Sequence, residues 1–146
     1  MTFGEPVVRR FYDELWNQWR LELIDELLVE EVRFRGSLGS VVIGRRAFRD
    51  YVEGVRRAFP DWHNRVDELF TADARVVARL TWSGTHRGDL LGVPPTGRRV
   101  GYAGVGLFRV AGGMIAEAWI VGDTQRLWQA IGVLPDVPAS RQRGAP

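Results

Sequence analysis

Cysteine is absent from the 146-residue chain, which excludes disulfides, thiolate nucleophiles, cysteine-ligated zinc and iron–sulfur clusters, and leaves the redox compartment unreadable. Lysine is absent too, since all 20 basic residues are arginine. Schiff-base chemistry and a lysine-bearing phosphate loop are thereby excluded. Histidine is scarce. His63 and His86 are its 2 copies, too few for a histidine-rich metal site, although carboxylates could still supply ligands; no metal and no cofactor are expected. No sign of charge dominates. The 20 arginines face 18 acids for a formal net charge of +2, and their scatter along the chain is a poor footprint for nucleic acid, which is not expected as a partner. No apolar run approaches the ~18–20 residues of a membrane span, and the opening MTFGEPVVRR has no signal-peptide hydrophobic region. A soluble, cytoplasmic protein without a membrane partner is expected.

What is present is a hydrophobic share of 45% with 26% charged residues, the balance of one ordinary globular domain. At this length folding buries roughly 68–70% of the unfolded surface, enough for a core and a pocket without metal or disulfide staples. The domain is expected over residues 1–134. Residues 135–146, PDVPASRQRGAP, read as a loose tail.

The hydrophobic period divides the chain. Val8, Phe11, Leu15 and Trp19 recur at helical spacing between Glu5 and Trp19, and a short second helix follows with Leu23, Ile24, Leu27 and Leu28. Val32–Arg35 reads as a brief strand. Arg45–Phe59 is an amphipathic helix, with Phe48, Val52, Val55 and Phe59 on its apolar stripe, arginines around the rest, and Pro60 as its stop. Beyond Asp61 the period approaches two. Strands are expected at Asn64–Phe70, Arg75–His86, Arg98–Arg109 and Met114–Gly122, joined by turns and by a longer Gly88–Gly97 loop, with a last helix from Thr124 to Ile131 ending at Gly132. Helices first and an antiparallel meander second make an α+β fold: a cone-shaped, curved antiparallel sheet covered by the N-terminal helices.

Alternation then places the polar groups. In the second long strand Val76, Ala78, Leu80, Trp82, Gly84 and His86 share one face, the apolar and therefore inner one. In the last strand Ile115, Glu117, Trp119, Val121 and, one step on, Asp123 share a face. A carboxylate at the edge of an aromatic-lined hollow is a general base for an acidic C–H, which needs no cofactor when flanking carbonyls stabilise the enolate.

The stretch GTHRGDLLGVPPTGRRV, Gly84–Val100, closely resembles the loop motif of SnoaL-like polyketide cyclases, within the nuclear-transport-factor-2-like superfamily of α+β cones. Ala58-Phe59-Pro60-Asp61, the run Asp73–Arg79, Leu107–Val110 ahead of Gly113–Ile115, Glu117-Ala118-Trp119 through Asp123, and Leu127–Gly132 agree in order and spacing. The resemblance spans residues 5 to 134. It implies intramolecular aldol ring closure on an aromatic polyketide ester, with Asp123 as acid/base, His86 bonding a substrate carbonyl or orienting the acid, and Trp16, Phe34, Trp82, Tyr102 and Trp119 stacking on a flat polycyclic substrate. It also implies a homodimer joined through the outer face of the sheet. Two departures stand out: Ala118 replaces a histidine common in relatives, and Phe34-Arg35-Gly36-Ser37 lacks the Asp or His often found after the first strand.

Plainer readings compete with these. Asp123 precedes a helix and can serve as its N-cap. His86 can tie down the Gly88–Gly97 loop, and the loop's glycines and prolines suit turns. Other chemistries of the superfamily, epoxide hydrolysis or isomerisation, use a second acid from the penultimate strand. Leu90–Ala116 contains none, although Tyr12 or Tyr102 could donate a hydroxyl. A non-catalytic small-molecule-binding dimer is the remaining alternative.

Overall fold

The computed structural model describes residues 4–136. Residues 137–146 of the expected tail lie outside the described residues. Helix α1 (Glu5–Arg10) runs directly into a π-helical turn (Phe11–Trp16), closed by the Asn17 N–H bonding the Tyr12 carbonyl at 2.9 Å. Phe11, Tyr12, Leu15 and Trp16 all lie on the buried side, and the wider turn draws them into a narrower arc than a regular helix would. Trp19 leaves the helical path at φ 53° and the run ends there. A 3-10 turn (Leu21–Leu23) and a single turn of α2 (Ile24–Leu27) lead into β1 (Leu28–Arg35) and β2 (Val41–Ile43).

Helix α3 spans Arg45–Ala58 and buries Phe48 and Val52. Not all of its arginines are idle: Arg45 docks the helix start by donating to the Leu28 carbonyl at 2.8 Å, and the Arg56 guanidinium sits 5.2 Å from the Trp19 ring centre. Then come β3 (His63–Ala72), β4 (Arg75–Thr85), β5 (Arg99–Ala111), β6 (Met114–Gly122) and α4 (Thr124–Ala130).

The six strands form one sheet in the order β2-β1-β6-β5-β4-β3. Strands β3 to β6 are the expected antiparallel meander. The sheet is not wholly antiparallel, because β1 lies parallel to β6 and β2 is added antiparallel on its far side. The helices cover the inner face, and Phe11, Leu15, Phe48, Leu80, Phe108 and Ile115 are fully buried between the layers. The architecture is the α+β fold expected.

One local feature reorients β6. Its register against β5 slips between Arg109 and Val110, so that Ala116 is an extra residue in a β-bulge. Ile115 and Ala116 are consequently both buried, and beyond them the inner face belongs to Ala118 and Ile120 while Trp119 and Val121 face outward. The shared face read from strict alternation holds for Ile115 but inverts after the bulge.

Candidate functional site

The space between the sheet and the helices is a cavity of about 610 Å³, lined mostly by apolar and aromatic side chains. Its wall is built from the π-helical turn (Phe11, Tyr12, Trp16), β1 (Phe34), α3 (Tyr51, Val55), the chain after α3 (Phe59, Trp62), and the inner face of the sheet (Asn64, Trp82, Tyr102, Ile120). Ser37, Leu38 and Ser40 contribute from the β1–β2 turn, and Gly88–Leu91 from the long loop after β4.

Two glycines set the floor. A Cβ on Gly104 would lie 2.2 Å from Trp82 Cζ3, and one on Gly122 would lie 2.8 Å from the same atom. The Trp82 indole therefore lies across the backbones of β5 and β6, which only residues without side chains permit. Tyr102, beside Trp82 in the ladder, packs against it at 5.1 Å between ring centres.

The polar groups of the wall are mainly hydroxyls. Tyr102 Oη and Ser37 Oγ are 3.3 Å apart and form a hydrogen bond. The Tyr51 hydroxyl lies over Gly36, where a Cβ would collide with it. Burial pushes the Tyr102 phenol up to about 12, with the Ser37 hydrogen bond pulling the other way. Burial likewise raises Tyr51, reinforced by the nearby Tyr102 hydroxyl, and raises Tyr12. All three phenols thus keep their protons and remain donors.

Trp16, Phe34, Trp82 and Tyr102 all line the cavity, in the positions expected of substrate-stacking residues. Trp119 does not. The β6 bulge turns it to the outer face, where it is 47% exposed beneath the Arg35 guanidinium, 4.9 Å from the ring centre. Its placement on an inner face is corrected accordingly.

Asp123 also misses the cavity. It follows Gly122, pairs through its N–H with the Ala103 carbonyl on the outward-facing register, and its side chain is 52% exposed with Arg126 at 3.7 Å. It occupies the N-cap position of α4 but makes no side-chain capping bond. A carboxylate at the hollow's edge, expected from the run of β6, is displaced by the same one-residue bulge.

His86 is wholly buried behind the wall rather than in it. Its Nδ1 receives the Thr96 N–H at 3.2 Å and stands 3.0 Å from Thr96 Oγ1, while its backbone N–H and C=O bond Arg98 and Gly97. A backbone N–H only donates, so Nδ1 accepts and the ring proton is on Nε2. The ring stacks at 5.6 Å on Phe59. This histidine ties down the loop after β4, as the plainer reading has it. The loop is fixed at its other end by Arg87 and Gly88, whose N–H groups share the Ala58 carbonyl at the end of α3.

Sequence reasoning missed Tyr51, Ser37, Trp62, Asn64 and Asp89. Asn64 carried a readable signal, a polar residue in an inner register opposite Trp82. Asp89 was absorbed into turn chemistry, and it does close a turn, accepting the Gly92 N–H on Oδ2 at 3.1 Å. It is also the one carboxylate among the residues that line the cavity. Among the described residues no three histidine or acidic side chains cluster as a metal site, and no helix is long and apolar enough to cross a membrane.

An α+β cone whose helices and sheet enclose an aromatic cavity is the nuclear-transport-factor-2-like fold, and solved structures share it. AclR of Streptomyces galilaeus, provisionally a hydroxylase, superposes with a TM-score of 0.82 at 28% identity over 97% of this chain and 88% of its own. A SnoaL-like polyketide cyclase, provisionally so named, from Jannaschia sp. CCS1 gives 0.84 at 25% over 92% and 94%. TsrD of Streptomyces laurentii gives 0.79 at 25% over 89% and 95%. Comparison with curated proteins finds no match. The family model described as SnoaL-like polyketide cyclase matches residues 6–131, and the chain belongs to that family.

Proposed function

We propose that the protein closes a ring in a flat, carbonyl-bearing polyketide-type molecule by intramolecular aldol addition, without a cofactor. The observation that carries this is the cavity of about 610 Å³, aromatic on its walls, with neutral hydroxyl donors inside and a carboxylate, Asp89, at its mouth. The Tyr102 and Ser37 hydroxyls hold a substrate carbonyl and stabilise the oxygen as it becomes an enolate. Asp89, with Oδ2 engaged by Gly92 and Oδ1 free, removes a proton from the carbon between two carbonyls. The enolate carbon attacks a ketone of the same molecule, and the protonated Asp89 returns its proton to the new alkoxide.

The family motif gives the acid–base role to Asp123, whereas cavity geometry favours Asp89. Incubating the protein with a panel of polyketide esters, epoxides and enones, followed by mass spectrometry, tests the reaction, and two variants divide the roles. Asp89→Asn is expected to abolish turnover with ligand binding kept, and Asp123→Asn to leave both in place. The opposite outcome returns the acid–base role to Asp123. The exposure of Asp89, and the lack of any buried acid in the cavity wall, favours a second reading, a small-molecule carrier: saturable binding with no turnover of any panel member would select it.

A second copy of the chain covers the outer face of the sheet in this proposal. Phe70, Leu107 and Trp119 stand exposed there in neighbouring registers, with Arg79 and Glu68 paired at 3.3 Å alongside. An apolar stripe edged by both signs of charge is self-complementary in a two-fold interface.

A further inference from the structure

We infer that Asn64 is a specificity-determining residue of the cavity: its carboxamide oxygen selects guests that carry a hydroxyl donor at the end remote from the carbonyl held by Tyr102. The inference rests on the cavity reading above and adds to it the donor group that the substrate must carry.

Asn64 is 3% exposed, one of the two polar residues buried among those described. It lines the cavity near the start of β3. Its orientation is fixed by Asn17, which follows the π-helical turn. Asn17 Oδ1 accepts the Asn64 backbone N–H at 2.8 Å, and Asn17 Nδ2 donates to the Asn64 backbone carbonyl at 2.8 Å. A backbone N–H can only donate and a carbonyl can only accept, so these two bonds settle which end of the Asn17 amide is oxygen. The atom of Asn64 lying 3.0 Å from that Asn17 oxygen must then be a donor, Nδ2. The carboxamide oxygen is left over on the other branch, with no donor among the described side chains.

The residue is buried but this oxygen is open to the cavity, so a bound guest displaces the water it faces: a guest that supplies a donor replaces that hydrogen bond, and one that lacks a donor leaves the acceptor unpaired. Position gives the spacing. Asn64, Trp82 and Tyr102 lie side by side across β3, β4 and β5, so the outer two are about 10 Å apart at the usual strand separation. An acceptor at one end, a donor hydroxyl at the other and an indole between them fit a flat system of two or three fused rings bearing a carbonyl on one side and a phenol or enol on the other.

The experiment measures quenching of tryptophan fluorescence by 2-hydroxyanthraquinone, 2-methoxyanthraquinone and anthraquinone, which share the ring system and carbonyls and differ at one substituent. Trp16, Trp62 and Trp82 in the wall supply the signal. The unaltered protein is expected to bind the hydroxy compound about tenfold more tightly than the other two. Asn64→Leu is expected to bring the three within about twofold while Tyr102→Phe weakens all three alike. Asn17 holds the Asn64 backbone, so the clamp survives the leucine substitution. Equal binding of the three compounds by the unaltered protein overturns the inference, and this comparison decides it even if the leucine variant fails to fold. A hydroxyl preference that persists in Asn64→Leu overturns it as well. Absence of saturable binding by any of the three overturns the cavity reading instead, and this inference with it.

Discussion

Tyr12, Tyr51 and Tyr102 are the 3 tyrosines of the chain, and all three stand in the cavity wall. In the proposed reaction Tyr102 donates to the guest carbonyl, so Tyr102→Phe is expected to lose about tenfold in turnover, as for a hydrogen bond of this kind, measured as kcat/KM with unchanged circular dichroism. Burial raises all three phenols above the ordinary value near 10. Above that pH the folded protein therefore holds protons that the unfolded chain has released, and stability falls as pH rises. The contribution is complete below pH ~10 and is lost as pH climbs through the raised values. Absorbance at 295 nm is expected to show no tyrosinate at about pH 10.5 in the native protein, then all three ionising together with alkaline unfolding. Three independent titrations near pH ~10 would contradict the burial described. Of these residues Tyr102 was reached through the family resemblance, whereas Tyr51 sits just off the apolar stripe of α3 and carried no such mark. Asp123 was misplaced for a definite reason: a single bulge is invisible to a period of two, and it inverts every side chain beyond Ala116.

At the scale of the element, the long strands, the helices and their breaks follow from periodicity because each has a face to bury. Helix α3 and strand β6 lie within one residue of the spans expected. Strand β2, 3 residues with no buried face, leaves no such trace, and the parallel pairing of β1 with β6 is decided by packing distant in sequence. The cavity floor depends on glycine more than on any apolar residue. Gly104→Ala puts a methyl group 2.2 Å from Trp82, and the indole cannot tilt without entering the cavity. A loss of about 1–3 kcal/mol is expected in urea unfolding, together with weaker ligand binding. The loop after β4 is as tightly constrained, since a Cβ on Gly88 would meet the Arg57 carbonyl oxygen at 2.2 Å. Gly88→Ala is expected to release the loop that carries Asp89 and to lower turnover more than stability, measured by comparing kcat with the urea midpoint.

For the whole molecule, the two faces of one sheet are given different work. The inner face holds the cavity, and the outer face leaves Leu107, Trp119 and Val121 exposed, the surface proposed above for a second copy. Trp119→Glu is expected to convert a dimer to a monomer in sedimentation velocity without altering ligand binding, because that side chain does not touch the cavity. Unchanged sedimentation would remove the proposed interface and leave the site untouched. The aromatic cavity itself is tested most directly by a binding titration with 2-hydroxyanthraquinone on the unaltered protein and on Val55→Trp, whose indole would fill the space between α3 and the sheet. Saturable one-to-one binding that the tryptophan abolishes is the expected result; binding that survives the filled cavity would contradict it.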